Sequence, residues 1–202
     1  MRNKFQQAWM AVGGKRDADA VYGKIEEMHT SPGRIYHTIK HVGDCILELW
    51  PIRDKAEHPY EVAMALWFHN AVYNAREKGG KEKSARFAED VLTNAGVSEP
   101  SVRRVCENII ATKQHIGPAS KDATLTADID IAIFGKSQEE FLEYDNALRR
   151  ENLHIKDDEF WKERKEEVDR FLKREHIYRT EHFRAKYERK ALLNLMSASM
   201  RL

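Results

Sequence analysis

The chain has 202 residues, enough for one well-buried core, and its 34 Lys and Arg against 33 Asp and Glu leave a formal net charge of +1. So even a balance gives no overall electrostatic case for binding nucleic acid or an anionic membrane. The longest apolar runs, such as 63–68, fall far short of the roughly 20 residues a bilayer span needs, and the first ten residues hold no signal-peptide core.

Helix punctuation then recurs along the chain, with no internal repeat, low-complexity tract or strand-like alternation. Asp17 predicts a capped helix to about 28, broken by Thr30-Ser31-Pro32-Gly33. A helix over about 36–50 is stopped by Pro51, and Pro59 sits near the first turn of another reaching about 74. Gly79-Gly80 separates this from a helix over about 81–94, and Ser98 with Pro100 opens one ending near 114. The apolar run 123–135 reads equally as helix or strand. Ser137-x-x-Glu140 fits a capping box and opens a helix to about 151, followed by two long charged helices over about 158–174 and 181–197. Short connections throughout predict an all-α chain folded as one compact helical domain, 1–202, with a core over about 20–135 and C-terminal helices over about 137–200. Cys45 and Cys106 stand apart and outside any CxxC spacing, so they read as buried, reduced thiols of an intracellular protein, with the cytoplasm as the expected compartment.

Chemistry concentrates in three places. His37 and His41 fall one helical turn apart, and Cys45 and Leu49 extend that face at the same spacing, which points it inward. A buried imidazole needs a hydrogen-bonding partner or a metal. His69 falls on a second stripe with Val62, Leu66 and Tyr73, and Asn70 follows it, turned by about 100° around the helix axis. The third place is Asp128-Ile129-Asp130, where two carboxylates inside an apolar run call for a cap, an ion pair or a bound cation. Histidines, an amide oxygen and a carboxylate form a mixed nitrogen and oxygen set that suits Mn, Fe, Zn, Co or Ni better than Ca.

The order of these motifs resembles the HD superfamily of metal-dependent phosphohydrolases. The stretches Tyr36-His37-Thr38-Ile39-Lys40-His41, Phe68-His69-Asn70-Ala71-Val72-Tyr73-Asn74 and Asp128-Ile129-Asp130-Ile131 look like the YHTxxH, FHDxVYD and DxDL motifs of a bacterial branch. Glu82-x-Ser84-Ala85 and the stretches 177–183 and 187–195 extend the likeness over most of the chain from about residue 20. The first motif is also similar to the YHNxxH of cyclic-nucleotide phosphodiesterases. This resemblance implies an HD-type helical bundle with one divalent transition metal on His41, His69, Asn70 and Asp130, and Asp128 in a supporting place. It implies His37 as the general acid for the leaving oxygen, with water activated by the metal attacking phosphorus. Arg34, Lys40 and Lys113 are candidate phosphate contacts, and Tyr73 and His115 further candidates for the substrate pocket. Thr112, one turn from His115, faces the same way.

This chain departs from that pattern where Asn70 and Asn74 replace acids. A carboxamide ligates through its carbonyl oxygen but carries no charge and bridges two metals poorly. Asn70 therefore leaves three readings: a weakened one-metal hydrolase, a site that fills only at high metal concentration, or a catalytically silent module that binds a nucleotide or a protein partner. Asn74 is an alternative ligand by position. The expected partner is a small phosphorylated substrate, a nucleotide or another phosphoester. Nucleic acid is not expected, because Glu181 and Glu188 interleave with Lys186, Arg189, Lys190 and Arg201 and no aromatic platform accompanies them. Trp161, Phe171 and Tyr178 read as core residues, with a homodimer seam as the alternative.

Overall fold

The computed structural model describes residues 1–114 and 120–201, which form ten α-helices and two 3-10 stretches, with no strand among the described residues. No helix among them is long and apolar enough to cross a membrane. The chain divides into two compact units, Met1–Asp130 and Ile131–Leu202.

The first unit holds α1 (Arg2–Ala11), α2 (Ala18–His29), α3 (Ile39–Leu49), α4 (Pro59–Phe68), α5 (Gly80–Asn94), α6 (Glu99–Gln114) and α7 (Lys121–Asp130). α1 was not among the expected elements. Its signal is the spacing of Phe5, Ala8 and Trp9, which puts all three on one buried face, where Phe5 meets Tyr22 and Trp67 edge to face. α2 starts where Asp17 accepts from the backbone N–H of Asp19 and Ala20. α3 buries Val42, Cys45, Ile46 and Leu49, and the chain passes through Pro51 in a 3-10 stretch, Trp50–Lys55. α4 is the centre of the unit. Every side chain from Val62 to Phe68 is buried, the pattern of a helix surrounded by others. Gly79, at φ +83, turns the chain into α5, and α5, α6 and α7 pack in sequence beside α4. The ambiguous run 123–135 is helical: α7, then a 3-10 stretch, Ala132–Gly135.

The second unit carries that stretch with α8 (Gln138–Glu151), α9 (Asp157–Leu172) and α10 (Glu181–Arg201). The capping box at Ser137 and Glu140 is formed in both directions. Phe134 anchors the core against Phe141, Tyr144 and Phe171. Gly135 lies under Tyr187, where an added Cβ would come within 2.4 Å of the Tyr187 Cβ, so only glycine fits. Asn194 donates from Nδ2 to the carbonyls of Phe134 and Lys136, which fastens α10 to the stretch. Phe171 and Tyr178 are buried in this core and Trp161 is half-buried.

Candidate metal centre

Three elements of the first unit converge on one point. Asp122, at the start of α7, accepts 2.7 Å hydrogen bonds from the backbone N–H groups of Glu57 and His58, which precede α4. With their beginnings tied, the two ten-residue helices run side by side in the same direction. They deliver His69 and Asp130 at the same end. α3 packs against both and supplies His41 from its first turn.

The end of α4 is not where the apolar stripe predicts. The helix stops at Phe68 rather than near Asn74, so Tyr73 does not share its face. The cause is a set of donors from elsewhere in the chain. The Arg34 guanidinium donates to the carbonyls of Asn70 and Ala71, each at 2.8 Å, and the Ser84 hydroxyl exchanges hydrogen bonds with the backbone of Val72. Arg34 also bonds the His37 carbonyl and the Ser31 hydroxyl, so it fastens the turn before α3 to the turn after α4. A cation here also favours the negative end of the helix dipole. The same turn corrects the expectation for His37. It lies before α3, with Thr38 extended between them, and is not on a helix face with His41. The turn still brings the two rings to 6.0 Å, and His37 stacks on Tyr73 at 4.3 Å.

At the convergence, His41 Nε2, His69 Nε2 and Asp130 Oδ1 form a triangle with every edge 3.1 Å. His69 Nδ1 lies 2.8 Å from the Leu66 carbonyl, which can only accept, so the His69 proton sits on Nδ1. Its Nε2 therefore turns a bare lone pair toward the other two atoms. Burial pushes the His69 imidazole down to about 3, and the nearby Lys81 ammonium adds to the shift, so it stays neutral near pH 7. Burial opposes ionisation of Asp130, but the Lys81 ammonium and a hydrogen bond from His41 hold the carboxyl well below the usual carboxylate range. Three acceptor atoms thus face one another with at most one hydrogen among them, on His41 Nε2. Lone pairs at this separation repel unless a cation or proton lies among them.

The residues fit a divalent cation. Ligand bonds of about 2.1 Å place neighbouring donors about 3.0 Å apart in an octahedron and about 3.4 Å apart in a tetrahedron, which brackets the observed edges. The Nδ1–H bond from His69 to a backbone carbonyl is the usual orienting contact of a metal-binding histidine. Cys45 completes the group, with Sγ 3.8 Å from His41 Nε2, and the ligand atoms of His41, Cys45, His69 and Asp130 all lie within 4.8 Å of one another. Burial, reinforced by Asp130, pushes the Cys45 thiol up, so it is protonated while no metal is bound. Lys81 Nζ stands 3.7 Å from Asp130 Oδ2 with 18% of its side chain exposed, and burial lowers its ammonium below the usual lysine range.

The remaining expected residues are placed as follows. Asn70 is buried beside His69, and its Nδ2 has no hydrogen-bond partner among the described residues. Asp128 is buried in α7 but outside the four-residue donor group. Asn74 is exposed, with its amide bonded to Glu77 and to the Arg76 N–H. Lys40 is exposed and pairs with Asp44, and Lys113 pairs with Glu82 on the surface. Thr112 is buried and donates to the Ile109 carbonyl. His115 lies outside the described residues. Cys106, expected to be buried, is half-buried.

Sequence reasoning missed two members. Cys45 was visible as the next residue on the His41 face but was read only as packing. Lys81, just after Gly79-Gly80, carries no local signal, because only the fold brings α5 to Asp130. No protein-family profile, curated protein or solved structure matches this chain.

Proposed function

We propose that this chain is a one-metal phosphohydrolase acting on a small phosphorylated compound, a nucleotide or another phosphoester. The observation that carries it is the triangle of acceptor atoms on His41, His69 and Asp130, whose charge and spacing suit one divalent transition ion such as Mn, Fe, Ni, Co or Zn. The order of those three residues along the chain matches the HD-like motifs. Such an ion supplies activated water and polarises the phosphoryl group. The chain supplies the rest. Lys81 offers positive charge beside Asp130 for a phosphoryl oxygen. His37, oriented by its stack on Tyr73, serves as the acid that protonates the leaving oxygen. Arg34, engaged with the His37, Asn70 and Ala71 carbonyls, acts as a positioning residue. The neutral Asn70 supports one metal rather than two. Both cysteines are free thiols, which suits a cytoplasmic setting.

A silent HD-like module is the second reading, favoured by the amide at position 70. Incubating the purified protein with Mn, Ni or Co against a panel of nucleotides and phosphoesters tests the first. Turnover that depends on metal supports it. The absence of turnover with every metal, together with no bound metal by emission spectroscopy, would sink it. Asn70→Asp bears on both readings: a gain of roughly tenfold or more in metal affinity and turnover marks a decayed enzyme, and no change in either removes the main support of the silent module.

A further inference from the structure

We infer that Cys45, as a thiolate, is the fourth protein ligand of the cation held by His41, His69 and Asp130, and that it makes the site prefer zinc or cobalt to manganese or magnesium. The assignment rests on the metal centre proposed above and names its ligand set and metal class. Position supports it first. Cys45 follows His41 by one turn of α3, is 3% exposed, and has Sγ 3.8 Å from His41 Nε2. The donor atoms of His41, Cys45, His69 and Asp130 all lie within 4.8 Å of one another, close enough for one cation to gather them with a metal–sulfur bond of about 2.3 Å. The other cysteine behaves differently. Cys106 donates its thiol to the Ala85 carbonyl, as a packed structural cysteine does, whereas the contacts of Cys45 run to the His41 ring nitrogens.

Charge supports it next. Two imidazoles and one carboxylate bring a single negative charge to a doubly positive ion, and the Asn70 amide adds none. A thiolate brings the second, so the ligands offset the charge of the ion and only the Lys81 ammonium beside Asp130 is left in excess. Coordination forms the metal–sulfur bond and breaks the S–H bond, and the thiol proton leaves to solvent. Softness then sets the metal. A thiolate with two imidazoles selects zinc and cobalt, while manganese and magnesium prefer oxygen. Four protein ligands fill a tetrahedral zinc, so the activated water of the proposed reaction requires a fifth coordination position.

Cobalt(II) titrated into the reduced, metal-free full chain tests the assignment. One equivalent is expected to produce a thiolate-to-cobalt charge-transfer band in the near ultraviolet. Cys45→Ala is expected to lose the band and to weaken zinc binding roughly tenfold or more, while Cys106→Ser keeps both. X-ray absorption on the zinc-loaded wild-type chain, which needs no variant, is expected to show one sulfur at about 2.3 Å. Stoichiometric cobalt without the band, with nitrogen and oxygen ligands only, overturns the role of Cys45 and leaves the metal centre standing. Loss of the band in Cys106→Ser rather than Cys45→Ala overturns it as well. Failure to bind either metal removes both the thiolate ligand and the centre it rests on.

Discussion

Asp130 at the end of α7 and Asp145 within α8 are both carboxylates set among apolar residues, yet the groups around them differ in kind. Asp145 faces the Arg164 guanidinium, which donates to Oδ1 from Nε at 3.1 Å and from a terminal nitrogen at 2.8 Å. That guanidinium also lies over Phe134 and Tyr144 and bonds Glu167, while Arg201 stands farther off, 3.9 Å from Asp145 Oδ2. Donor meets acceptor and cation meets anion, so the pair is complete as it stands. Asp130 faces two imidazole nitrogens with at most one hydrogen between them, with Lys81 at 3.7 Å on its other oxygen. A carboxylate among donors is a structural element. A carboxylate among acceptors is a place for a cation.

The comparison breaks most directly at the complete pair. Arg164→Leu leaves Asp145 buried without its main partner and is expected to destabilise the protein by about 3–5 kcal/mol. Urea denaturation followed by circular dichroism measures this, and added metal should not repair it. A loss below about 1 kcal/mol would mean that Asp145 finds compensation elsewhere, and that the contrast with Asp130 is weaker than the contacts indicate.

What was legible in the sequence follows the same division between local and distant causes. Asp17 and the Ser137–Glu140 box announce their helices because each cap is satisfied within three residues. The meeting of His41, His69 and Asp130 was legible only through their residue types and their order along the chain. Asp130 was favoured over Asp128 only by resemblance, and the structure places Asp130 in the donor group through the tie between Asp122 and the start of α4. The early end of α4 was not readable, since Arg34 and Ser84 cap it from distant parts of the chain. Lys81 was invisible for the same reason. The run 123–135 resisted assignment because burial on all sides erases the periodicity that separates helix from strand.

A second test fills the incomplete site. With zinc or cobalt at roughly 100 times Kd, the wild-type chain should gain about 2.7 kcal/mol, seen as a rise in Tm by thermal denaturation. Asp130→Asn keeps the shape of the side chain, removes the charge, and should abolish the rise. If Asp130→Asn responds to metal as the wild type does, the cation binds elsewhere and the acceptor triangle is not its site.

The smallest effect probes the premise beneath the others, that the buried imidazoles are neutral. Burial brings His29 down to about 4, and the Ile25 carbonyl takes its Nδ1 proton at 2.9 Å, as Leu66 does for His69 at about 3. Both are depressed from 6.5, so the unfolded chain binds protons in a range where the folded, metal-free chain does not. Stability is then fully present above the unfolded value and falls as pH drops below it. From pH 6.5 to 5.5 the two groups together should remove about 2 kcal/mol, and His29→Gln should remove about half of that dependence. Denaturant titrations at the two pH values read the difference. A flat response in His29→Gln would mean that His69 carries its proton on both nitrogens when folded. Its Nε2 would then donate to Asp130 rather than face it with a lone pair, and Asp130 would be as complete as Asp145.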